Sequence, residues 1–284
     1  MKICYLIGYP VGHSMSALMH NAAFKELGLD FSYEIFSVKS EDLAWFVASR
    51  LHEPDFMGAN VTMPHKVSII RHLDEISPEV SRIGAVNTIV NEGGHLKGYN
   101  TDGIGAMRTL KEDYGNLDGA TVALIGAGGA ARAIGYYLSK YVEKVIVLNR
   151  TPSTAVDLAK MLSAFPECKA NIRALPLQRK NLVKVLGEAH LLINATPLGM
   201  IPNVSESPVD CDLLRPGLFV FDSIYNPIKT RLLKEAEEAG AETLSGLKMF
   251  VYQGIASFKL WTGLEAPEEL MYHVVEKKLE DEKI

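Results

Sequence analysis

Cysteine is scarce in this chain. Only three occur in 284 residues, Cys4, Cys168 and Cys211. They are widely scattered and form no CxxC pair, which excludes a disulfide framework and a cysteine zinc site and favours a reducing compartment. Long hydrophobic runs are missing too. No apolar stretch approaches the ~20 residues of a membrane-spanning helix, and the opening "MKICYLIGYP" is broken by Gly8 and Pro10 before it could act as a secretory signal. Positive charge is not in excess: 29 Lys and Arg stand against 34 Asp and Glu, a net charge of −5. That balance argues against a general nucleic-acid or membrane-surface binder, though not against a local basic pocket for a small anion. The eight histidines fall at no metal-ligand spacing, so no metal site is expected. What remains is the composition of a soluble, cytoplasmic globular protein, 48% hydrophobic and long enough for two domains.

Short apolar runs alternate with amphipathic segments, the mark of βαβ units and parallel sheets. "ICYLIG", "FSYEIFSV" and "FMGANVT" read as strands, with helices over 16–28 and 40–51 between them. Residues 86–100 form two β-rich arms around Glu92-Gly93-Gly94, a hairpin. After a helix near 103–114 the alternation restarts with "TVALIG", "KVIVLNR", "NIRALPL", "LLINAT" and "LFVFDSIY" as strands, and helices over 129–140, 152–163 and 178–187. The tail from Gly246 is helical and apolar on most faces. The expected fold is α/β in two domains: an N-terminal substrate domain with a mainly parallel sheet (1–101 plus about 247–284), and a doubly wound Rossmann-type domain (102–246).

Residues 126–131, "GAGGAA", stand directly after a strand and before a helix, with Gly126, Gly128 and Ala131 at G-x-G-x-x-A spacing. Such a loop needs a tight turn, close backbone approach to a pyrophosphate and close helix–strand packing, and the helix N-terminus offers N–H groups to the anion. Gly126, Ala127, Gly128, Gly129 and Ala130 are therefore candidate dinucleotide contacts. At the end of the next strand an NAD site usually carries Asp or Glu; here stand Asn149, Arg150 and Thr151. A carboxylate about 4 Å from a 2′-phosphate would cost up to ~4 kcal/mol at an effective dielectric of about 20. A neutral Asn removes that penalty and Arg150 offers a planar charged fork, so NADP is the expected cofactor. The stretch "NVTMPHK" (60–66) ends an apolar run with a lysine. Lys66 is either a surface charge or an amine held over a substrate, and the stretch alone leaves both readings open.

Taken together, "GYPVGHSMSALMHN", "NVTMPHK", "GAVNTIV", "YNTDG", "GAGGAA", "NRT", "INATPLGM", "DSIYNP" and "GLKMFVYQG" resemble the shikimate dehydrogenase family, in order and across essentially the whole chain. The resemblance implies reversible hydride transfer between NADPH and the ring ketone of 3-dehydroshikimate, giving shikimate for aromatic amino acid biosynthesis. It implies Lys66 as acid/base at the reacting oxygen, paired with Asp102. The chemistry is consistent with this, because hydride addition leaves an alkoxide that must be protonated and a lysine ammonium is a ready donor. Ser14 and Ser16 are implied for the substrate carboxylate, Thr62, Asn87, Asp102 and Gln253 for the ring hydroxyls or neighbouring polar atoms, and Tyr225 to close the pocket. Ser223 and Gly246 match positions beside the nicotinamide, with "NATP" (194–197) lining the pocket at its strand end. Each residue also has an ordinary reading: Ser16 or Asp102 as a helix N-cap, Asn87 at a strand end, Gln253 as a partly buried helix polar. His13 and His65 fall inside the substrate motifs and read as structural.

Two departures from the family pattern stand out. Ala17 replaces the usual Pro after the second serine, and Ser153 and Thr154 replace a second basic residue after "NRT". Alternative readings are a quinate/shikimate dehydrogenase with relaxed NAD/NADP use, a non-catalytic metabolite sensor, and a folate-type dehydrogenase. No acidic residue at 149 or 150 supports the first. Retention of Lys66 and Asp102 counts against the second, and the Ser-x-Ser site against the third. The expected partner is a small-molecule substrate, with the chain a monomer or homodimer.

Overall fold

In the computed structural model, which describes residues 1–281, the elements follow in the order β1 (Lys2–Gly8), α1 (Ser16–Glu26), β2 (Phe31–Ser37), α2 (Leu43–Arg50), β3 (Phe56–Val61), β4 (Glu75–Ile76), α3 (Pro78–Ile83), β5 (Thr88–Glu92), β6 (His95–Tyr99) and α4 (Asp102–Asp113). The second series is β7 (Thr121–Ile125), α5 (Gly129–Leu138), β8 (Lys144–Asn149), α6 (Pro152–Ser163), β9 (Asn171–Pro176), α7 (Arg179–Glu188), β10 (Leu191–Asn194), β11 (Phe219–Asp222), α8 (Arg231–Glu238) and β12 (Glu242–Leu244), followed by α9 (Leu247–Thr262) and α10 (Glu268–Asp281). Two compact units result: residues 1–104 with 251–284, and residues 105–250. Among the described residues no helix is long and apolar enough to cross a membrane.

The first unit holds a six-stranded sheet ordered β2-β1-β3-β5-β6-β4. β1 pairs in parallel with β2 and β3, and the β5–β6 hairpin turns antiparallel through Gly93 and Gly94. Its core gathers Tyr5, Ile7, Phe46, Phe56, Ile69, Ile89 and Leu96. The ring of Trp261 on α9 anchors that helix to the sheet by donating Nε1–H to the Ile89 carbonyl (2.9 Å).

The second unit holds six strands ordered β12-β11-β10-β7-β8-β9, all five pairings parallel among the described residues. Counted within the unit this is the 3-2-1-4-5-6 order of a Rossmann sheet, with its switch point between β7 and β10. The four central strands are buried on both faces, so they read as unbroken apolar runs; β7, β10 and β11 are buried at every residue.

Two stretches that give no element by alternation, 67–85 and 227–245, hold short ones. The first contains β4 and α3, the latter capped by Ser77 (Val80 N–H to Oγ, 3.3 Å), opened by Pro78 and closed by Gly84 in the left-handed region. The second contains α8, capped by the Thr230 hydroxyl, and the edge strand β12. At "LFVFDSIY" the strand stops at Asp222, and the residues beyond it form a loop.

Candidate active site

β3 ends at Val61 and the chain turns at once. Thr62 N–H donates to the Ile7 carbonyl (2.8 Å) and His65 N–H to the Thr62 carbonyl (2.9 Å), while Val86 N–H donates to the Lys66 carbonyl (2.7 Å). The buried His65 ring lies with Nε2 2.6 Å from the Val38 carbonyl, which makes it a brace for this turn. So fixed, Lys66 extends its ammonium to Asp102, Nζ to Oδ2 2.6 Å, with the two side chains only 17% and 6% exposed. Asp102 opens α4, yet Asn100 accepts the first N–H groups: its Oδ1 takes those of Asp102 (3.1 Å) and Gly103 (3.5 Å). The Asp102 carboxylate faces Lys66 on one oxygen and Asn87 on the other.

Asn87 is the hub of this group. Its Oδ1 accepts the backbone N–H of Thr101 at 2.7 Å, which fixes the amide orientation because that donor cannot reverse. Its Nδ2 therefore points to Asp102 Oδ1 (2.9 Å), Thr101 Oγ1 (2.9 Å) and Gln253 Oε1 (3.2 Å). Behind it runs a buried polar chain. Tyr33 donates its hydroxyl to Asn60 Oδ1 (2.8 Å), and Asn60 Nδ2 donates to Ser257 Oγ (2.9 Å) and Thr88 Oγ1 (3.2 Å). Thr88 Oγ1 then donates to Asn87 Oδ1 (3.0 Å). Such a network holds its members in one arrangement, because a buried polar group left unpaired costs about 1–3 kcal/mol.

Of the other expected substrate residues, Ser14 and Ser16 come together at the start of α1, Ser14 Oγ donating to Ser16 Oγ at 3.0 Å. The residue before α1 is Met15, with no side-chain cap, so Ser16 is the first helical residue and not its cap. Thr62 is half-buried on the turn to Lys66. Tyr225 belongs to the second unit, where its ring stacks on Phe250 at 4.0 Å.

In that unit the glycine loop joins β7 to α5 at the switch point. Gly126 has φ +115°, and a Cβ there would lie 2.8 Å from the Ala195 carbonyl oxygen, so only glycine fits. Gly128 precedes α5 with open space around it and no side-chain cap on the helix, leaving the first-turn N–H groups to a ligand. At the end of β8 the Asn149 amide donates to the Thr151 carbonyl (3.1 Å) and Thr154 Oγ1 (2.5 Å), shaping the entry to α6. Arg150 is left exposed. Gly246 presses against the end of β11: a Cβ on it would lie 2.2 Å from the Ser223 carbonyl oxygen. A bare glycine cradle, an uncapped helix start and an exposed guanidinium in place of a carboxylate fit an NADP dinucleotide.

Three family models match this chain: the shikimate dehydrogenase substrate binding domain over residues 6–89, shikimate / quinate 5-dehydrogenase over 108–201, and the shikimate 5′-dehydrogenase C-terminal domain over 246–276. The chain belongs to the shikimate dehydrogenase family. It is 45% identical over 278 residues to the NADP(+) shikimate dehydrogenase of Moorella thermoacetica, covering 96% of this chain and 92% of that protein. A crystal structure of a shikimate dehydrogenase in complex with NADP+ superposes with a TM-score of 0.88 at 41% identity, covering 98% and 96% of the two chains. The Thermus thermophilus shikimate dehydrogenase with NADP(H) and shikimate gives a TM-score of 0.86 at 37% identity, covering 98% and 99%. The architecture is therefore that of the shikimate dehydrogenase family: an N-terminal substrate-binding domain and a Rossmann-type NADP-binding domain.

Motif reading of this shikimate dehydrogenase family member does not give the supporting shell. Asn60, Thr88, Asn100, Thr101 and Ser257 are each buried polar residues. Asn60, Thr88, Asn100 and Thr101 fall inside the motifs without a role assigned to them, and Ser257 leaves only the signal of a polar side chain in an apolar helix.

Proposed function

We propose that the chain catalyses the reversible, NADPH-dependent reduction of 3-dehydroshikimate to shikimate, with Lys66 and Asp102 as the reacting pair. The observation that carries this reading is the Lys66–Asp102 contact of 2.6 Å, largely shielded from water and braced by Asn87. NADPH bound at Gly126–Ala130, with Arg150 at its 2′-phosphate, supplies the hydride. Lys66 Nζ gives its proton to the oxygen that becomes the hydroxyl, and recovers it in the reverse direction. Asp102 holds that ammonium in place and accepts from a ring hydroxyl. Ser14 and Ser16 present two hydroxyls to the substrate carboxylate, and Asn87, Gln253 and Thr62 fix the ring by its hydroxyls. Ser223 and Gly246 lie at the nicotinamide end of the dinucleotide. The first unit takes the substrate and the second the nucleotide. The enzyme works in the cytoplasm as a monomer or homodimer, in keeping with three free thiols.

One observation favours broader cofactor use. With the Asn149 amide committed to its own turn, and Ser153 and Thr154 where a second basic residue often stands, Arg150 alone meets the phosphate. The test is nucleotide reduction by the purified protein, followed by absorbance, with shikimate or quinate and with NADP+ or NAD+. Turnover with shikimate and NADP+ is expected to dominate. Comparable rates with NAD+ or quinate would move the enzyme to the broader dehydrogenase, and no turnover in any of the four reactions would sink the assignment.

A further inference from the structure

We infer that Asp222 is a positioning residue of the dinucleotide site: its buried carboxylate, as an anion, ties the loop after β10 to the chain after β11 and to the start of α8, and so sets the affinity for NADP+. The inference rests on the reading of the nucleotide site given above.

Asp222 is fully buried, as are its side-chain partners Asn194 and Thr230. Its Oδ1 accepts from Asn194 Nδ2 (3.0 Å) and from the Ile224 backbone N–H (3.1 Å), and its Oδ2 accepts from Thr230 Oγ1 (2.8 Å). Those donors come from three separate segments. Asn194 carries the tie onward, its Oδ1 accepting from Thr196 N–H (3.0 Å) and Thr196 Oγ1 (2.7 Å). The loop so held is the one against the glycine cradle, since a Cβ on Gly126 would meet Ala195 and the Thr196 methyl. On the other side, Ile224 lies between Ser223 and Tyr225, and its carbonyl accepts the Gly246 N–H (2.9 Å). One carboxylate thus sits under residues on both sides of the proposed nicotinamide end.

Among the described residues no cation answers this charge. β7 and β10 carry no ionisable residue. On α8 and just before it, Arg231 pairs with Glu235 and Lys229 with Glu237, while Lys234 and Glu238 are exposed, as is Glu242 on β12. Tyr225 stacks on Phe250. Burial pushes the Asp222 carboxyl up to about 6, against the pull of its donors Thr230, Ile224 N–H and Asn194. The group therefore changes charge in an accessible range. Once protonated, Oδ1 becomes a weaker acceptor and Oδ2 must donate to Thr230, so the ties slacken.

Asp222→Asn keeps the shape and mimics the protonated state. The experiment measures the Kd for NADP+ of wild type and Asp222→Asn between pH 5 and 7.5, by titration of protein fluorescence, with circular dichroism to confirm folding. The ratio of the two Kd values at each pH cancels the titration of the 2′-phosphate, whose own pKa is about 6. Asp222→Asn is expected to bind about tenfold more weakly at pH 7.5, with the ratio falling toward one at pH 5. A purely structural carboxylate would give a ratio of one throughout, or a constant ratio, and either result overturns the inference. Absence of NADP+ binding to the wild type would overturn the nucleotide-site reading and this inference with it. Should Asp222→Asn not fold, Thr230→Val carries the test: losing a donor to the anion must move the midpoint of the affinity change to higher pH, and an unmoved midpoint counts against the role.

Discussion

The two units build their sites from different materials. In the first, the expected substrate contacts are side chains locked to one another: Lys66 on Asp102, Asp102 on Asn87, Asn87 on Gln253, with Thr88, Asn60 and Ser257 behind them. In the second, the expected nucleotide contacts are mostly main chain, a glycine loop and an uncapped helix start, and the one charged contact, Arg150, is exposed. A side-chain lattice fixes reacting atoms to a fraction of an ångström but fails when any member is lost. A main-chain cradle survives most substitutions and leaves discrimination to a few peripheral groups. The comparison teaches that chemistry and cofactor choice in this protein are separable by mutation.

The hardest strike on that comparison is Lys66→Met, which removes the proposed proton donor without filling or emptying the core. The expected kcat falls about 10³-fold, with the Kd for NADP+ unchanged within twofold; activity within tenfold of wild type would show that the pair is not the acid/base. Next in size is a pH effect confined to the first unit. His20 is fully buried among Phe24, Tyr33 and Trp261, and its ring nitrogens make no hydrogen bond of ordinary geometry. Burial lowers its pKa from 6.5 to about 3, offset only in part by the Asn60 side chain. The folded-state value is depressed, so the unfolded chain binds the extra proton, and the stability present above pH 6.5 drains away as pH falls toward 3. By pH 4.5 the loss is about 3 kcal/mol. Asp222, raised in the fold, works with the opposite sign: its contribution is largest below the ordinary carboxylate value and is lost as pH rises through about 6, which softens the acid slope. Urea unfolding of wild type and His20→Phe across pH 7.5 to 4.5 should show a flatter profile for the variant, and parallel profiles would remove His20 as the cause. The smallest expected effect tests the second unit. Arg150→Leu should weaken NADP+ roughly tenfold and leave NAD+ unchanged, in proportion to one solvent-exposed charged contact. Equal losses for both nucleotides would mean that Arg150 shapes the loop rather than reading the phosphate.

Much of the fold is legible because a parallel sheet buried on both faces writes its strands as apolar runs. "TVALI", "KVIVLN", "LLIN" and "FVFD" need no other signal. β4 and β12, of two and three residues, are too short to write any pattern. α8 spans eight residues, so its apolar stripe repeats barely once before the helix ends. In the site, Lys66, Asp102 and the glycine loop are visible because their motifs are local in sequence. The link between Asn60 and Ser257 is not: it spans 197 residues, and although Asn60 opens "NVTMPHK", nothing local points to its partner. Asp222 is visible as part of "DSIYNP", but its role appears only when the loop after β10 and the cap of α8 are seen to converge on it.

The first unit is assembled from two pieces of chain, residues 1–104 and 251–284, with the whole of the second unit between them. Synthesis from the N-terminus therefore delivers the nucleotide-binding unit as one finished length while the other still lacks most of α9 and all of α10. Until Ser257 and Trp261 arrive, Asn60 and the carbonyl of Ile89 have no α9 partner. The order of manufacture is thus written into the fold: the cofactor cradle can close first, and the side-chain lattice around Lys66 is completed only after it.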